Sequence, residues 1–340
     1  MGDRSLARQI ADLPDRPGIY AFRDRRGRLL YVGKAVNLKR RAASYLERSG
    51  GHTGYTRGLK RRAARIETLE TGSELEALLA EARAIREQQP VYNVAGRHAR
   101  HYAFVKVTRE RFPRVLAVRE IAPDGASYYG PFPPELGLDD ALAALQPVLR
   151  WRRCDVLERK PCLHQQVGRC LAPCGAGPGE SRYAGMLATL DSILRGEGMR
   201  VLALLEERMR AAAAHSDFER AARLRDRLQA LERVLQRAPF LTLDVVAAVR
   251  RGPGAARLLG VRAGRLVAAR EVRGPGEVAA FLEAAFSGPP PGPATLPADL
   301  REVDVVTGYL ARHAGSRWLV RADQAMPSAR TVWTVMAARA

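Results

Sequence analysis

Between positions 18 and 33 the chain carries two short apolar runs, Gly18-Ile19-Tyr20-Ala21-Phe22 and Leu29-Leu30-Tyr31-Val32, around the turn sequence Asp24-Arg25-Arg26-Gly27. Strand-forming residues on either side of such a turn predict a β-hairpin. Asn37 stands where an N-cap belongs and predicts a basic helix reaching about Glu47. A third short strand is expected over 66–71, and Ser73-Glu74-Leu75-Glu76 then has the S-x-x-E form of a capping box. Leu75, Leu78, Leu79, Ala82 and Ile85 recur at helical spacing until Pro90 ends the run. Residues 14–95 therefore read as one ββαβα unit.

The chain of 340 residues has room for two or three domains and a sizeable core, so neither a disulfide nor a metal is needed merely to fold. Residues 101–150 read as mixed strand and helix, with a turn at Gly130-Pro131-Phe132-Pro133-Pro134. Residues 180–237 are expected to be helical. Within them, 199–237 reads as an αα-hairpin, with Val201, Leu204, Leu205 and Met209 on its first helix. Ser216-Asp217-Phe218-Glu219 is a second capping box, opening a helix with Phe218, Ala221, Ala222, Leu228, Leu231 and Leu235 on one face. Beyond Pro239, strands are expected over 241–249 and 257–267, a helix over 277–286, and a linker over 287–293. The class is α+β and multi-domain.

The formal net charge is +20, and only five of the 56 basic residues are lysines. Residues 1–70 hold 17 basic and 7 acidic residues, so the excess is concentrated at the N-terminal end. Such a balance disfavours an acidic disordered tail and favours a polyanionic partner, although arginine richness also arises from drift in base composition. Aromatic residues, at 6%, are too sparse for broad base-stacking platforms. The first fifteen residues are charged and lack a signal-peptide core, and no run of 18 apolar residues exists, so a cytoplasmic protein with no membrane span is expected.

All four cysteines fall within 21 residues, as Cys154-x₇-Cys162-x₇-Cys170-x₃-Cys174. In a reducing compartment disulfides are disfavoured, and four gathered thiols suit zinc or a [4Fe–4S] cluster, with metal-free structural cysteines as the remaining reading. The spacing lacks the C-x₂-C knuckles common in zinc ribbons, and His164 is not taken as a ligand. The helical hairpin is under 40 residues and buries little alone, so its apolar face needs either a partner protein or the chain's own domains.

Gly18-Ile19-Tyr20, ten residues, then Tyr31-Val32-Gly33 resembles the GIY-YIG nuclease signature, with valine for the second isoleucine. Leu13-Pro14, Pro17, Leu30, Lys34-Ala35, Asn37-Leu38, Arg41 and Ser44-Tyr45 narrow the likeness to the UvrC family of excision nucleases. Thr71, Glu74, Glu76-Ala77-Leu78-Leu79, Glu81, Pro90 and Tyr92-Asn93 continue it in register. The segment from Lys160 to Cys174 resembles the same family, and Phe218-Glu219-x-Ala221-Ala222-x-x-Arg225-Asp226 resembles the UVR motif through which UvrC docks on UvrB.

The resemblance implies a GIY-YIG domain over 12–97, a cysteine-rich connector over 98–180, a helical region over 181–238 with the UVR-like hairpin at 199–237, and an α/β region over 241–340. It also implies a DNA endonuclease of nucleotide excision repair, acting on damaged double-stranded DNA with UvrB, and with UvrA upstream. Glu81, twelve residues before Asn93, is the implied ligand of Mg²⁺ or Mn²⁺, a hard cation that one carboxylate, waters and a substrate phosphate can hold. Tyr31 is implied as general base or water-positioner. A free tyrosine has a pKa of about 10, and Lys34, three residues on, is expected to supply the cation that favours phenolate. Arg41 and Tyr45 would contact the scissile phosphate, Tyr20 would orient the site, and Asn93 would buttress the glutamate's end. Glu76 is left to the capping box.

Cys154, Cys162, Cys170 and Cys174 are implied to hold an iron–sulfur cluster, with zinc as the alternative. Phe218, Glu219, Ala222, Arg225 and Asp226 are the implied partner contacts. The family's acidic stretch after Tyr-Asn is replaced here by Arg97-His98-Ala99-Arg100-His101, expected to be phosphate contacts or surface residues. Residues 241–320 resemble UvrC weakly, and the chain is expected to end before the family's RNase H-like nuclease and helix-hairpin-helix grips. That leaves one active centre, the one cutting 3′ of a lesion. The rival readings are a stand-alone GIY-YIG endonuclease and a non-catalytic adaptor that binds DNA and UvrB.

Overall fold

The computed structural model describes residues 5–45, 54–93, 101–157, 160, 162–171, 174, 179–252, 254–289, 297–322 and 326–337. After a short helix α1 (Leu6–Ala11), strands β1 (Gly18–Arg23) and β2 (Leu29–Ala35) form the expected hairpin. Helices α2 (Leu38–Ser44) and α3 (Gly54–Arg62) follow, then β3 (Arg65–Glu70) and α4 (Glu74–Gln88). The antiparallel sheet has the order β2-β1-β3, with Tyr20 opposite Gly33 on one side and Thr68 on the other. Both signature glycines have a steric reason. A Cβ on Gly18 would lie 2.2 Å from the Leu69 carbonyl oxygen, and one on Gly33 would lie 2.5 Å from the Tyr20 hydroxyl. The sequence reading has no counterpart of α3. The end expected for the basic helix, near Glu47, lies outside the described residues.

Strands β4 (Ala103–Val107), β5 (Val115–Val118) and β6 (Ser127–Phe132) make a second antiparallel sheet of order β5-β4-β6. Helices α5 (Leu138–Leu149) and the one-turn α6 (Leu163–Gln166) precede α7 (Glu180–Leu194), α8 (Met199–Ala214) and α9 (Phe218–Arg237). One apolar core joins this sheet to α5, α7, α8 and α9 through residues such as Val105, Phe132, Leu145, Leu190, Leu205 and Leu231. The αα-hairpin is therefore packed on the chain's own middle region along the C-terminal half of α9.

The third sheet, of order β10-β7-β8-β9, contains β7 (Asp244–Gly252), β8 (Ala255–Arg262) and β9 (Arg265–Val272), followed by α10 (Pro275–Phe286), α11 (Pro297–Arg312), β10 (Leu319–Ala322) and α12 (Ala329–Ala337). The single strand expected over 257–267 is instead two strands. Ala263 and Gly264, at φ of 47° and 72°, turn the chain back upon itself.

Helix α4 lies between two bodies. Ile85 packs with Leu29 and Val32 of the hairpin, while Leu75 and Leu79 join a core with Phe240, Val245, Leu259, Tyr309 and Leu310. The Arg83 guanidinium bonds both carboxylate oxygens of Glu302 (2.6 and 2.9 Å), and Arg257 grips Glu76 (2.6 and 3.3 Å).

Candidate active site

Tyr20, Tyr31 and Tyr45 are brought together from β1, β2 and the C-cap of α2. Their ring centroids are 6.0, 5.8 and 5.8 Å apart in pairs, and the Tyr20 and Tyr45 hydroxyls are hydrogen bonded at 3.1 Å. Helix α2 presents Tyr45 here because Asn37 accepts the Arg40 N–H (2.8 Å) and sets the entry of the helix. The Arg41 guanidinium lies 5.7 Å from the Tyr45 ring centroid and beside the Tyr20 hydroxyl. Burial pushes the Tyr20 and Tyr31 hydroxyls well above the ordinary tyrosine range, and their mutual proximity to Tyr45 adds to it. Both are protonated donors at neutral pH.

Glu81 approaches from α4. Its Oε1 accepts the backbone N–H of Lys34 at 3.1 Å, so the carboxylate sits against β2. Burial raises its pKa, partly offset by that N–H and by the charges of Lys34 and of Arg301 on α11. The nearby charge of Glu81 in turn helps to raise Tyr31. The second carboxylate oxygen has no hydrogen-bond partner among the described residues. No group of three or more His, Cys, Asp or Glu side chains suited to a metal occurs among the described residues. A hard cation on Glu81 would thus have one protein carboxylate, a donor set that fits Mg²⁺ completed by water and phosphate oxygens.

Two expected roles change. Lys34 does not face Tyr31: strand side chains alternate, so an odd separation of three puts them on opposite faces of β2. The Lys34 ammonium pairs instead with Glu74 on α4. Asn93 does not buttress Glu81. Its buried amide accepts the Val32 N–H (2.9 Å) and donates to the Val32 carbonyl (2.8 Å), pinning the chain after α4 to the strand that carries Tyr31. Glu74 belongs to the sequence pattern without a role assigned to it there, and Arg301 has no local signal, since it reaches Glu81 from α11, which packs against α4.

The four cysteines are not gathered. Cys170 is buried and the other three are half-buried, all as free thiols, and no three of them form a ligand group. Cys154 and Cys170 both act on Tyr183, whose hydroxyl burial pushes up to about 12. The expected four-thiol cluster therefore does not fit the side chains as arranged. Of the partner residues, Phe218, Glu219, Arg225 and Asp226 are exposed at the start of α9, Ala222 is half-buried, and Arg225 pairs with Asp226 at 2.8 Å. His101 is exposed, while 97–100 lie outside the described residues.

A three-stranded sheet that presents clustered tyrosines, an arginine and one helix-borne glutamate defines a GIY-YIG type of site. Sequence models of known families agree with it along most of the chain: the UvrC-like GIY-YIG domain matches residues 16–94, the UvrC/Cho excinuclease middle domain 102–191, and the UvrB/uvrC motif 200–234. The chain belongs to the UvrC family. UvrABC system protein C of Desulforudis audaxviator is 38% identical over 271 residues, covering 77% of this chain and 44% of that protein. That of Symbiobacterium thermophilum is 34% identical over 336 residues, covering 93% and 53%. The chain thus spans about half the length of the curated relatives it matches. Among solved structures, the N-terminal GIY-YIG endonuclease domain of UvrC from Thermotoga maritima, bound to its catalytic cation magnesium, is 33% identical, with a TM-score of 0.25, covering 28% of this chain and all of that one.

Proposed function

We propose that this chain is a metal-dependent DNA endonuclease of nucleotide excision repair, hydrolysing a phosphodiester on the 3′ side of a lesion in concert with UvrB. The observation that carries the reading is the convergence of Glu81, three tyrosine hydroxyls and Arg41 on one sheet edge. Glu81, Oε1 anchored on the Lys34 N–H, offers its other oxygen to a divalent cation. Such a cation, when bound, neutralises phosphate charge and lowers the pKa of its water. Arg41 and the Tyr45 hydroxyl meet the phosphate oxygens, and the Tyr31 hydroxyl positions or deprotonates the attacking water. The exposed start of α9, with Phe218 at its tip, is the surface we assign to UvrB, and a cytoplasmic setting follows from that role.

The test is a duplex with one bulky lesion, labelled at either end, incubated with Mg²⁺ and with UvrA and UvrB present or omitted. A single nick 3′ of the lesion, only with the partners, supports the reading. Glu81→Gln is expected to lower the nicking rate at least a hundredfold while DNA binding persists. Nicking by that variant at the parent rate would refute the site, and cutting without lesion or partners would favour a free-standing endonuclease. For the cysteines, a [4Fe–4S] cluster rests on four-thiol spacing and family resemblance alone. Iron and sulfide analysis of the purified chain, alongside Cys170→Ala, decides between that cluster and structural thiols.

A further inference from the structure

Five arginines converge at the end of the first sheet away from Lys34 and Glu81. Arg25, Arg26 and Arg28 rise from the β1–β2 turn, Arg61 and Arg62 from the last turn of α3, and they line a cleft of about 550 Å³. The sole acid in the lining, Asp24, is consumed by the turn. Its carboxylate accepts the backbone N–H groups of Arg26 (2.9 Å) and Arg28 (3.0 Å) and the Arg28 guanidinium (2.9 Å). Arg25, Arg26 and Arg61 are exposed and have no carboxylate partner among the described residues. The negative end of a helix dipole accounts for cations on the last turn of α3. It does not account for the turn arginines being set against them.

The frame holding these charges is built across elements. The Ala64 N–H donates to the Arg23 carbonyl (2.8 Å), and the Gln9 side chain from α1 bridges the Ala64 carbonyl (3.2 Å) and the Ile66 N–H (3.1 Å). Arg62 is further held against the Tyr92 ring, 6.0 Å from its centroid. Like charges collected on a fixed frame repel one another and create a local positive potential that an anion relieves.

We propose that this cleft is a second phosphate-binding site, gripping the DNA backbone to one side of the cleavage point. The inference rests on the nuclease reading above and deepens it. Arg26 lies in the turn, five residues back from Tyr31, of which only Leu29 and Leu30 are strand, so the two are at most ~17 Å apart at ~3.3 Å per extended residue. That is at most about five phosphates of axial rise along one strand. The cleft would then set the register of the duplex over the tyrosines, through shape and charge and without reading bases.

The test compares the full chain with Arg25→Gln/Arg26→Gln/Arg61→Gln, and with Arg200→Gln/Arg208→Gln/Arg220→Gln, which removes equal charge from exposed positions on α8 and α9. Affinity for a 30-base-pair duplex is measured from 50 to 300 mM salt by fluorescence anisotropy, with thermal melting as the check on folding. Each lost phosphate contact lowers the slope of log K against log salt by about 0.9, so the first variant is expected to lose about 2 to 3 in slope and the second less than 0.5. Equal slopes in all three proteins, or equal losses in both variants, would overturn the cleft as a site. Nicking separates this from the parent reading. A parent chain that binds and nicks while the slopes stay equal loses only the cleft. A parent chain that binds with the expected slopes but never nicks retains the cleft and loses the nuclease. A parent chain that does not bind DNA loses both.

Discussion

At the residue scale, Glu81 is held where a carboxylate is costly. Its folded pKa lies above the ordinary glutamate value of about 4.3 because burial outweighs the Lys34 N–H and the charges of Lys34 and Arg301. The folded chain therefore binds that proton more tightly than the unfolded chain. The stability Glu81 contributes is complete below the ordinary glutamate range and is lost as pH rises through the raised value. Glu81→Gln removes the charge and keeps an acceptor for the Lys34 N–H, so its melting temperature at pH 7 should equal or exceed the parent's, with the gap closing towards pH 4. A lower melting temperature at pH 7 would contradict this. Asn93 is the reverse case, a residue whose worth is structural. Asn93→Ala leaves the N–H and carbonyl of fully buried Val32 unpaired, and urea unfolding should register a loss of about 2–4 kcal/mol. A loss under ~0.5 kcal/mol would mean that water replaces the amide.

At the scale of elements, α9 divides into two uses. Leu228, Leu231 and Val234 are buried against the middle sheet and its helices, while Phe218 is 69% exposed at the N-terminal end. Leu231→Ala should cost about 2–5 kcal/mol, since it opens a cavity in a shared core. Phe218→Ala should change stability by no more than about 0.5 kcal/mol and instead weaken UvrB capture in a pull-down. If Phe218→Ala leaves capture intact, the assigned docking surface is wrong. Helix α4 divides as well. The spacing of Leu75, Leu78, Leu79, Ala82 and Ile85 reads as one face covering one sheet. In the fold, Leu75 and Leu79 serve a different core from Ile85. Periodicity identifies which residues are inward and cannot say how many bodies they touch.

At the scale of the whole molecule, the C-terminal α/β region holds the helix that carries Glu81. Leu75 and Leu79, the Glu76–Arg257 fork and the Arg83–Glu302 fork together tie α4 to β8 and α11. Asp304, 5% exposed, adds a node between regions: it accepts from the Tyr102 hydroxyl (3.2 Å) and is paired with Arg237 at 2.5 Å. A chain cut after Pro239 should therefore expose the apolar face of α4, bind a hydrophobic dye and show a lower melting temperature for its nuclease unit. Identical melting and dye binding in the cut chain would show that the contacts across α4 carry no stability.

Helix α9 is capped by Asp217, which accepts the Arg220 N–H at 3.1 Å, one residue after the Ser216 box that the sequence reads. The hairpin with its signature glycines and the capped starts of α2 and α4 were legible in the sequence. Each depends on residues close along the chain, through caps at three positions' distance, alternation along a strand or the absence of a Cβ. Glu81 likewise follows from a fixed spacing, twelve residues before Asn93. Lys34 beside Glu74, Asn93 on Val32, the second face of α4 and the arginine cleft at the hairpin turn were decided only by the tertiary structure. In each of these the partners come from separate elements, and their meeting depends on which side of a strand faces which helix. Local spacing carries no record of that.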